Sequence, residues 1–377
     1  MTDPLLKGIR ILDFTWVLAG PYATRLLADF GAEVIKVQPC LPQEEDEFSR
    51  GYYNTWNRNK LGITLDMSQS AGIALAKRLA AVSDAVVENF TPRVMANWGL
   101  DYENLKKIKP DIILLSLSTM GSTGPYRDYT GFGPTIQAFS GLTYLTSYPG
   151  GPPLGLGTAY ADHVGALFAC LALLGALEYR RETGEGQYID ISQVEAMVSL
   201  LGDAFVPGEE KVFQGVYRCQ GEDGWCVITI TADEEWANFK RALGSPPWAE
   251  DGRFATLASR LKNKKALDEF IENWTKVHPA EEVMALLQKK GVAAGVVQSA
   301  ADLACDPQLK ERGFFVELDH PEAGKTISDA APIRLADTPA VYTRSAPLPG
   351  QDNDYVYGEL LGLSKREINK LRKQGII

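Results

Sequence analysis

The sequence is poor in the residues that hold metals and cross-links. Its 377 residues include five cysteines, Cys40, Cys170, Cys219, Cys226 and Cys305, with no CxxC pair, and three histidines, His163, His278 and His320. Neither a zinc site nor a disulfide framework is expected, and no metal ligand is assigned. No charge-free run reaches the roughly 18 to 20 residues that span a bilayer, and the opening MTDPLLKGIR lacks the basic start and apolar core of a signal peptide. The expectation is a cytoplasmic protein without a membrane partner. Positive charge is short as well: 38 Lys and Arg against 48 Asp and Glu leave a net charge of -10. That disfavours a nucleic-acid partner, although a local basic pocket could still hold a phosphorylated small molecule. The loop after the first strand lacks GxGxxG, and the second strand ends at Gln38 instead of the acid that would grip a ribose. No nicotinamide or flavin dinucleotide is expected.

What is present is a chain that is 45% hydrophobic and 23% charged, ordinary for a globular protein and long enough for two domains. Its first half repeats one unit. GIRILDF, AEVIKV, GITLDM, AVVENF and DIILLSLS read as buried strands, separated by amphipathic helices such as PYATRLLADFG, with Pro21 at its first position, and SAGIALAKRLAAVS. This alternation predicts a doubly wound, Rossmann-like α/β domain with a parallel sheet covered on both faces. Its ligands belong at the carboxyl ends of the strands. After about residue 195 the character changes to a hairpin turning at Glu222, Asp223 and Gly224, three helical segments and a short strand AAGVVQ, a smaller α+β domain. The expected division is a large domain over 1–198, a linker over 199–211, a small domain over 212–316, and a linker with the C-terminal return over 317–377. A final helix starts at the capping residue Ser364.

One acid stands out. Gly150 to Ala159 is a loop dense in Gly and Pro that delivers Asp162 to the start of a helix apolar enough to be expected in the interior. Asp there can cap free N–H groups, or serve as a nucleophile beside an oxyanion site. Asn57, Asn59 and Lys60 in WNRNK could hold a phosphate or purine, or form a solvated turn. Asn89, Phe90 and Arg93 in VENFTPR follow a strand end and could line a pocket or form an Asx-turn. His163 follows Asp162, but adjacent helical positions point about 100° apart, so it does not share the acid's exposure.

Several stretches together resemble the class III CoA-transferases, the family that includes formyl-CoA:oxalate and carnitine CoA-transferases and α-methylacyl-CoA racemase. They are ILDFTWVLAGPYATRLLADFGAEVIKV, the NRNK loop, VVENFTPRVMANWGL, GSTGPYRDYTGF, YADHVGALFACLALLGALEYRRETGEGQYIDIS and CDPQLKERGFFVELDHP, in the family's order over nearly the whole chain. The resemblance implies that Asp162 attacks an acyl-CoA thioester, giving a mixed anhydride and then an aspartyl-CoA thioester that an acceptor acid resolves. It implies no tightly bound cofactor; the CoA thioester is a substrate. It places Val17, Leu18, Ala19, Trp56, Asn57, Asn59, Lys60, Asn89 and Phe90 at CoA contacts. Two departures concern charge: Gln38-Pro39-Cys40 replaces an acidic then basic or proline pattern, and Asn97 stands where a basic residue is common, a loss that Arg93 one turn earlier could offset.

Other departures bear on the reaction. Racemase relatives carry a His-Asp pair after GPY, whereas this chain has Phe132 and Gly133 and so lacks one of the two bases. Formyl-CoA:oxalate enzymes have a Gln in the first loop and a mobile glycine run; here stands Leu18, with no such run. Trp16, Leu18, Phe132 and Tyr160, if not ordinary core, suit a larger or more apolar acid such as a substituted succinate. The resemblance also implies an interlocked homodimer, with GDAFVPGEEKV and AGKTISDAAPIRLADTP as linkers. The alternatives are an acyl-CoA racemase or isomerase on the same scaffold, and a non-catalytic CoA-binding subunit with a paralogous partner.

Overall fold

The strand and helix repeat forms a six-stranded sheet in the computed structural model, which describes residues 3–40, 47–148, 150–205 and 212–377. In chain order the elements are β1 (Arg10–Asp13), α1 (Ala19–Asp29), β2 (Glu33–Gln38), α2 (Glu47–Trp56), β3 (Leu61–Thr64), α3 (Ser70–Ala81), β4 (Ala85–Glu88), α4 (Arg93–Trp98), α5 (Tyr102–Ile108), β5 (Ile113–Ser118), α6 (Gly133–Phe139), α7 (Leu142–Leu145), α8 (Tyr160–Thr183), β6 (Tyr188–Ser192) and α9 (Gln193–Leu201). All sheet pairings are parallel, in the order β3-β2-β1-β4-β5-β6. The order reverses between β1 and β4, so the ligand crevice of such a sheet opens between the loops that follow those two strands.

Strand residues alternate between two cores. Ile11, Val34, Val87, Leu115 and Leu117 face α1 and α8, while Leu12, Ile35, Ile63, Val86 and Leu114 face α3, α4, α5 and the chain's end. Most are fully buried, each contributing about 1.5–3 kcal/mol. Helix α1 starts at Ala19, two residues ahead of Pro21, which therefore does not occupy its first position. Helix α8 departs further from expectation. It buries its small face, including Ala166, Ala169 and Ala176, and leaves Leu167 and Leu171 exposed at 51% and 69%. By length and composition it could cross a membrane; in the fold half of that span is buried.

Contacts divide the chain into residues 1–205 with 312–377, and residues 206–311. The second unit holds the hairpin β7 (Phe213–Arg218) and β8 (Trp225–Ile230), the helices α10 (Asp233–Ala242), α11 (Leu257–Lys262), α12 (Lys264–Thr275) and α13 (Ala280–Gln288), the strand β9 (Ala293–Val296), and α14 (Ala300–Cys305) and α15 (Pro307–Glu311). Its own core centres on Phe213, Ile228, Phe239 and Ile271. The expected first linker begins inside α9 and continues as a 3-10 turn over Gly202–Phe205, and its residues 206–211 lie outside the described residues. The expected second linker contains ordered pairing: β10 (Phe315–His320) and β11 (Gly324–Asp329) form an antiparallel ladder that crosses the expected boundary at 316. The last helix, α16 (Lys365–Lys373), begins at the Ser364 capping box, and Ile376 and Ile377 close the second core.

Candidate active site

The crevice is built on a buried anchor. Asp13, the last residue of β1, accepts hydrogen bonds from Thr15 N–H (2.8 Å), Thr15 Oγ1 (2.5 Å), Thr24 Oγ1 (2.7 Å) and Lys60 Nζ (3.0 Å), with Lys36 Nζ at 3.4 Å. The two lysines hold its carboxyl far below the usual range despite burial. These bonds fold residues 14–18 into a tight loop, in which Val17 takes φ 63°, a strained conformation for a β-branched residue. A Cβ at Gly20 would lie 2.3 Å from the Thr15 side chain, so only glycine lets α1 begin this close. Asn89, one residue past β4, completes the crevice: its Oδ1 accepts Trp16 N–H at 2.9 Å and its Nδ2 donates to Trp16 O at 3.0 Å.

These contacts correct part of the expected CoA pocket. Lys60 is fully buried, its Nζ committed to Asp13, Pro21 O, Thr24 Oγ1 and Asn57 Oδ1; burial presses its pKa down to about 7. Asn57 is buried too and donates to Tyr53 O. Asn59 donates to Asp29 and Val341 O while its Oδ1 accepts Thr343 N–H. Within the same stretch Arg58 pairs with Asp29 at 2.7 Å and with Asp329. The NRNK loop is thus a junction that ties the C-terminal return to α1, because its polar atoms are satisfied internally. Leu18 and Ala19 are buried at 3% and 1%, so the Leu18 side chain does not flank an open pocket. Asn89 spends its amide on Trp16. Val17 remains partly open at 38%. Phe90 is half-buried against Trp98, and Arg93 and Asn97 lie exposed one turn apart on α4. A cavity of about 320 Å³ that Phe90 also lines, on the sheet face away from α8, is walled by Glu88, Asp101 and Glu103, the wrong sign for phosphates.

Asp162 sits in the first turn of α8 but does not cap it. The N-cap is Ala159, whose carbonyl accepts Asp162 N–H at 3.1 Å. The loop ahead is held by Gln137 of α6, which donates to Thr158 O at 2.7 Å. The Asp162 side chain is 8% exposed and packs on Gly133, where a Cβ would lie 2.5 Å from Oδ2. Burial pushes its pKa up to about 6, with His163 opposing the rise. At neutral pH it is an unusually basic carboxylate, with His163 as the one charge that bears on it.

Aromatic rings stand on both sides. Trp16 and Phe132, the latter next to Gly133, meet edge to face at 6.2 Å and are 53% and 58% exposed; Tyr160 is 42% exposed. Trp56, expected at a CoA contact, packs at 5.4 Å on His163 and 5.3 Å on Tyr22. Sequence reasoning missed Tyr22 and Tyr52, and read Gly133 as a lost acid without its place against Asp162. Tyr52, whose phenol is pushed up to about 12 by burial and the Asp162 charge, carries one signal that could have found it: the aromatic cluster GYYNTW just ahead of NRNK. A basic, sheltered carboxylate with apolar walls can attack an electrophilic carbonyl. Phe132 supplies no second base opposite it.

Residues 6–353 match CoA-transferase family III. The chain is 34% identical to the succinyl-CoA--D-citramalate CoA-transferase of Chloroflexus aurantiacus over 99% of its length and 98% of that protein's. It is 33% identical to the succinyl-CoA--L-malate CoA-transferase alpha subunit of the same organism, over 99% and 92%. A crystal structure of a CAIB/BAIF family protein from Brucella suis superposes with a TM-score of 0.85 at 30% identity, covering 95% of this chain and all of that one. With a sheltered acid at the carboxyl edge of a doubly wound sheet and a family match over nearly its whole length, the chain belongs to CoA-transferase family III and is a CoA-transferase acting on acyl-CoA and carboxylic acid.

Proposed function

We propose that Asp162 is the covalent relay of this transferase. Its carboxylate attacks the donor thioester carbonyl, forming a mixed anhydride and expelling CoA thiolate. The thiolate attacks the aspartyl carbonyl, and the donor acid leaves with the bridging oxygen. The acceptor carboxylate then attacks the aspartyl-CoA thioester and expels the thiolate again, and thiolate attack on the acceptor's acyl carbonyl releases the new acyl-CoA and frees Asp162. The observation that carries this reading is the Asp162 carboxylate itself, buried on Gly133 and pushed up to about 6. Val17 after β1, and Phe90, Arg93 and Asn97 after β4, are proposed as the CoA contacts; Trp16, Phe132 and Tyr160 are proposed to receive the acyl group. The relatives' names point to succinyl-CoA as donor and a hydroxylated or branched dicarboxylic acid as acceptor, in keeping with an expected substituted succinate.

Assembly as a homodimer is proposed as well, supported by the exposed Leu167, Leu171 and Leu174 along α8. Relatives named as alpha and beta subunits keep a paralogous partner in view. The site's chemistry is tested by mixing the protein with succinyl-CoA and then hydroxylamine. An aspartyl hydroxamate should appear at Asp162, and Asp162→Ala should lose CoA exchange by roughly 10³-fold or more. Substantial turnover by that variant would refute the relay.

A further inference from the structure

The turn that presents Asp162 has no side-chain cap, since its N-cap is Ala159. His163 supplies the missing fixture. Its Nδ1 lies 2.9 Å from Ala159 O, the oxygen that also accepts Asp162 N–H at 3.1 Å and His163 N–H at 3.4 Å. A carbonyl only accepts, so Nδ1 carries the ring's proton in this bond. The imidazole is wedged edge to face against Tyr22 at 5.2 Å and Trp56 at 5.4 Å. Behind both rings stands the Arg25 guanidinium, 4.9 Å and 5.0 Å from their centroids. It is held in turn by Asp329 at 2.8 Å and by Thr55 O at 2.8 Å. A contact path therefore runs from the packed α1 and α2 through His163 to the carbonyl that organises the nucleophile's turn.

Resting on the assignment of Asp162 as nucleophile, we propose that His163 is a positioning residue: its Nδ1–H bond to Ala159 O fixes the first turn of α8, and with it the Asp162 carboxylate on Gly133. The Nδ1–H bond ties one edge of the ring to the backbone and leaves Nε2 as its lone-pair nitrogen. A carboxylate displaced by about 1 Å would lose attack geometry while the crevice that binds CoA stayed intact.

The two ring nitrogens can be told apart. In His163→Asn the amide Nδ2 falls near the place of Nδ1, whereas in His163→Gln the amide reaches toward that of Nε2. With succinyl-CoA as donor and hydroxylamine as trap, His163→Gln should form the Asp162 adduct and turn over about tenfold or more slowly, with KM for succinyl-CoA within about twofold of wild type. His163→Asn should recover to within about threefold. Equal rates for the two variants, or a loss confined to KM, would overturn the proposal. A spectrum of ¹⁵N-histidine protein, which has only three histidines to assign, makes the test independent of variant folding: the His163 ring should be protonated at Nδ1, and an Nε2–H tautomer would also overturn it. If wild type forms no adduct at Asp162 while the tautomer is as stated, the nucleophile assignment fails and not the contact.

Discussion

A single missing side chain decides what Asp162 can do. Gly133 gives the carboxylate a place to lie that no other residue would leave, since a Cβ there would sit 2.5 Å from Oδ2 and 3.0 Å from Ala159 Cβ. Gly133→Ala should therefore keep the fold, as circular dichroism would show, and lower kcat by about tenfold to a hundredfold through misplacement. Unchanged kcat would mean the carboxylate does not react from this position. The raised pKa of Asp162 carries a second consequence. Its folded value, about 6, lies above the ordinary 3.8, so the folded state binds the extra proton between those two pH values. Stability owed to this group accordingly rises as pH falls from about 6 to 3.8, and the full cost of the buried charge is present above about 6. Asp162→Asn should be more stable than wild type at pH 7 by about 1–3 kcal/mol in denaturant titration, and the transfer rate of wild type should fall below pH about 6. A variant no more stable at pH 7, with wild-type activity flat down to pH 5, would contradict the desolvated carboxylate. Residue type in sequence does not show who satisfies it, which is why Asn57, Asn59 and Lys60 read as ligand groups. The partners of Asn59 and Lys60, namely Asp13, Asp29 and Val341, lie up to 282 positions away, and Asn57 is taken up by Tyr53 O and Lys60.

At the scale of elements, the strands were the most legible part. Runs such as ILLSLS, buried at every position, announce a sheet covered on both faces. The helices were less so. Helix α2 carries Gly51 mid-span and only 10 residues, and α5, only 7 residues long, is too short for a period to declare itself. Helix α8 misled in the other direction. Its composition suggested full burial, yet its buried face is mostly small residues, with Val164 and Leu173 among them, and Leu167 and Leu171 stay outward. Such a face in a folded protein calls for a partner. Leu171→Lys should leave the melting transition of the subunit's core near wild type while shifting the species seen by light scattering from dimer to monomer. A monomeric wild type, or a variant dimer as tight as wild type, would remove α8 from the interface.

For the whole molecule, the sheet order could be anticipated only as a class, because pairing between residues 74 positions apart leaves no local mark. Ile11 beside Ala85 is such a pair, and it creates the crevice at the switch point. The site's location followed from that architecture, but the assignment of Asp162 came from its place in the family's order of segments, since one acid in the first turn of a helix reads equally well as a cap. The relay as a whole is written in the path of its oxygen atoms. Each turnover by the proposed relay draws one oxygen of Asp162 into the departing donor acid and replaces it with one from the acceptor. A single turnover of succinyl-CoA, with enzyme in excess and an acceptor acid labelled in both carboxylate oxygens with ¹⁸O, followed by peptide mass spectrometry, should find one ¹⁸O in Asp162. Label that reaches the released succinate while Asp162 stays unlabelled would mean that the acids exchange CoA directly, without the aspartate.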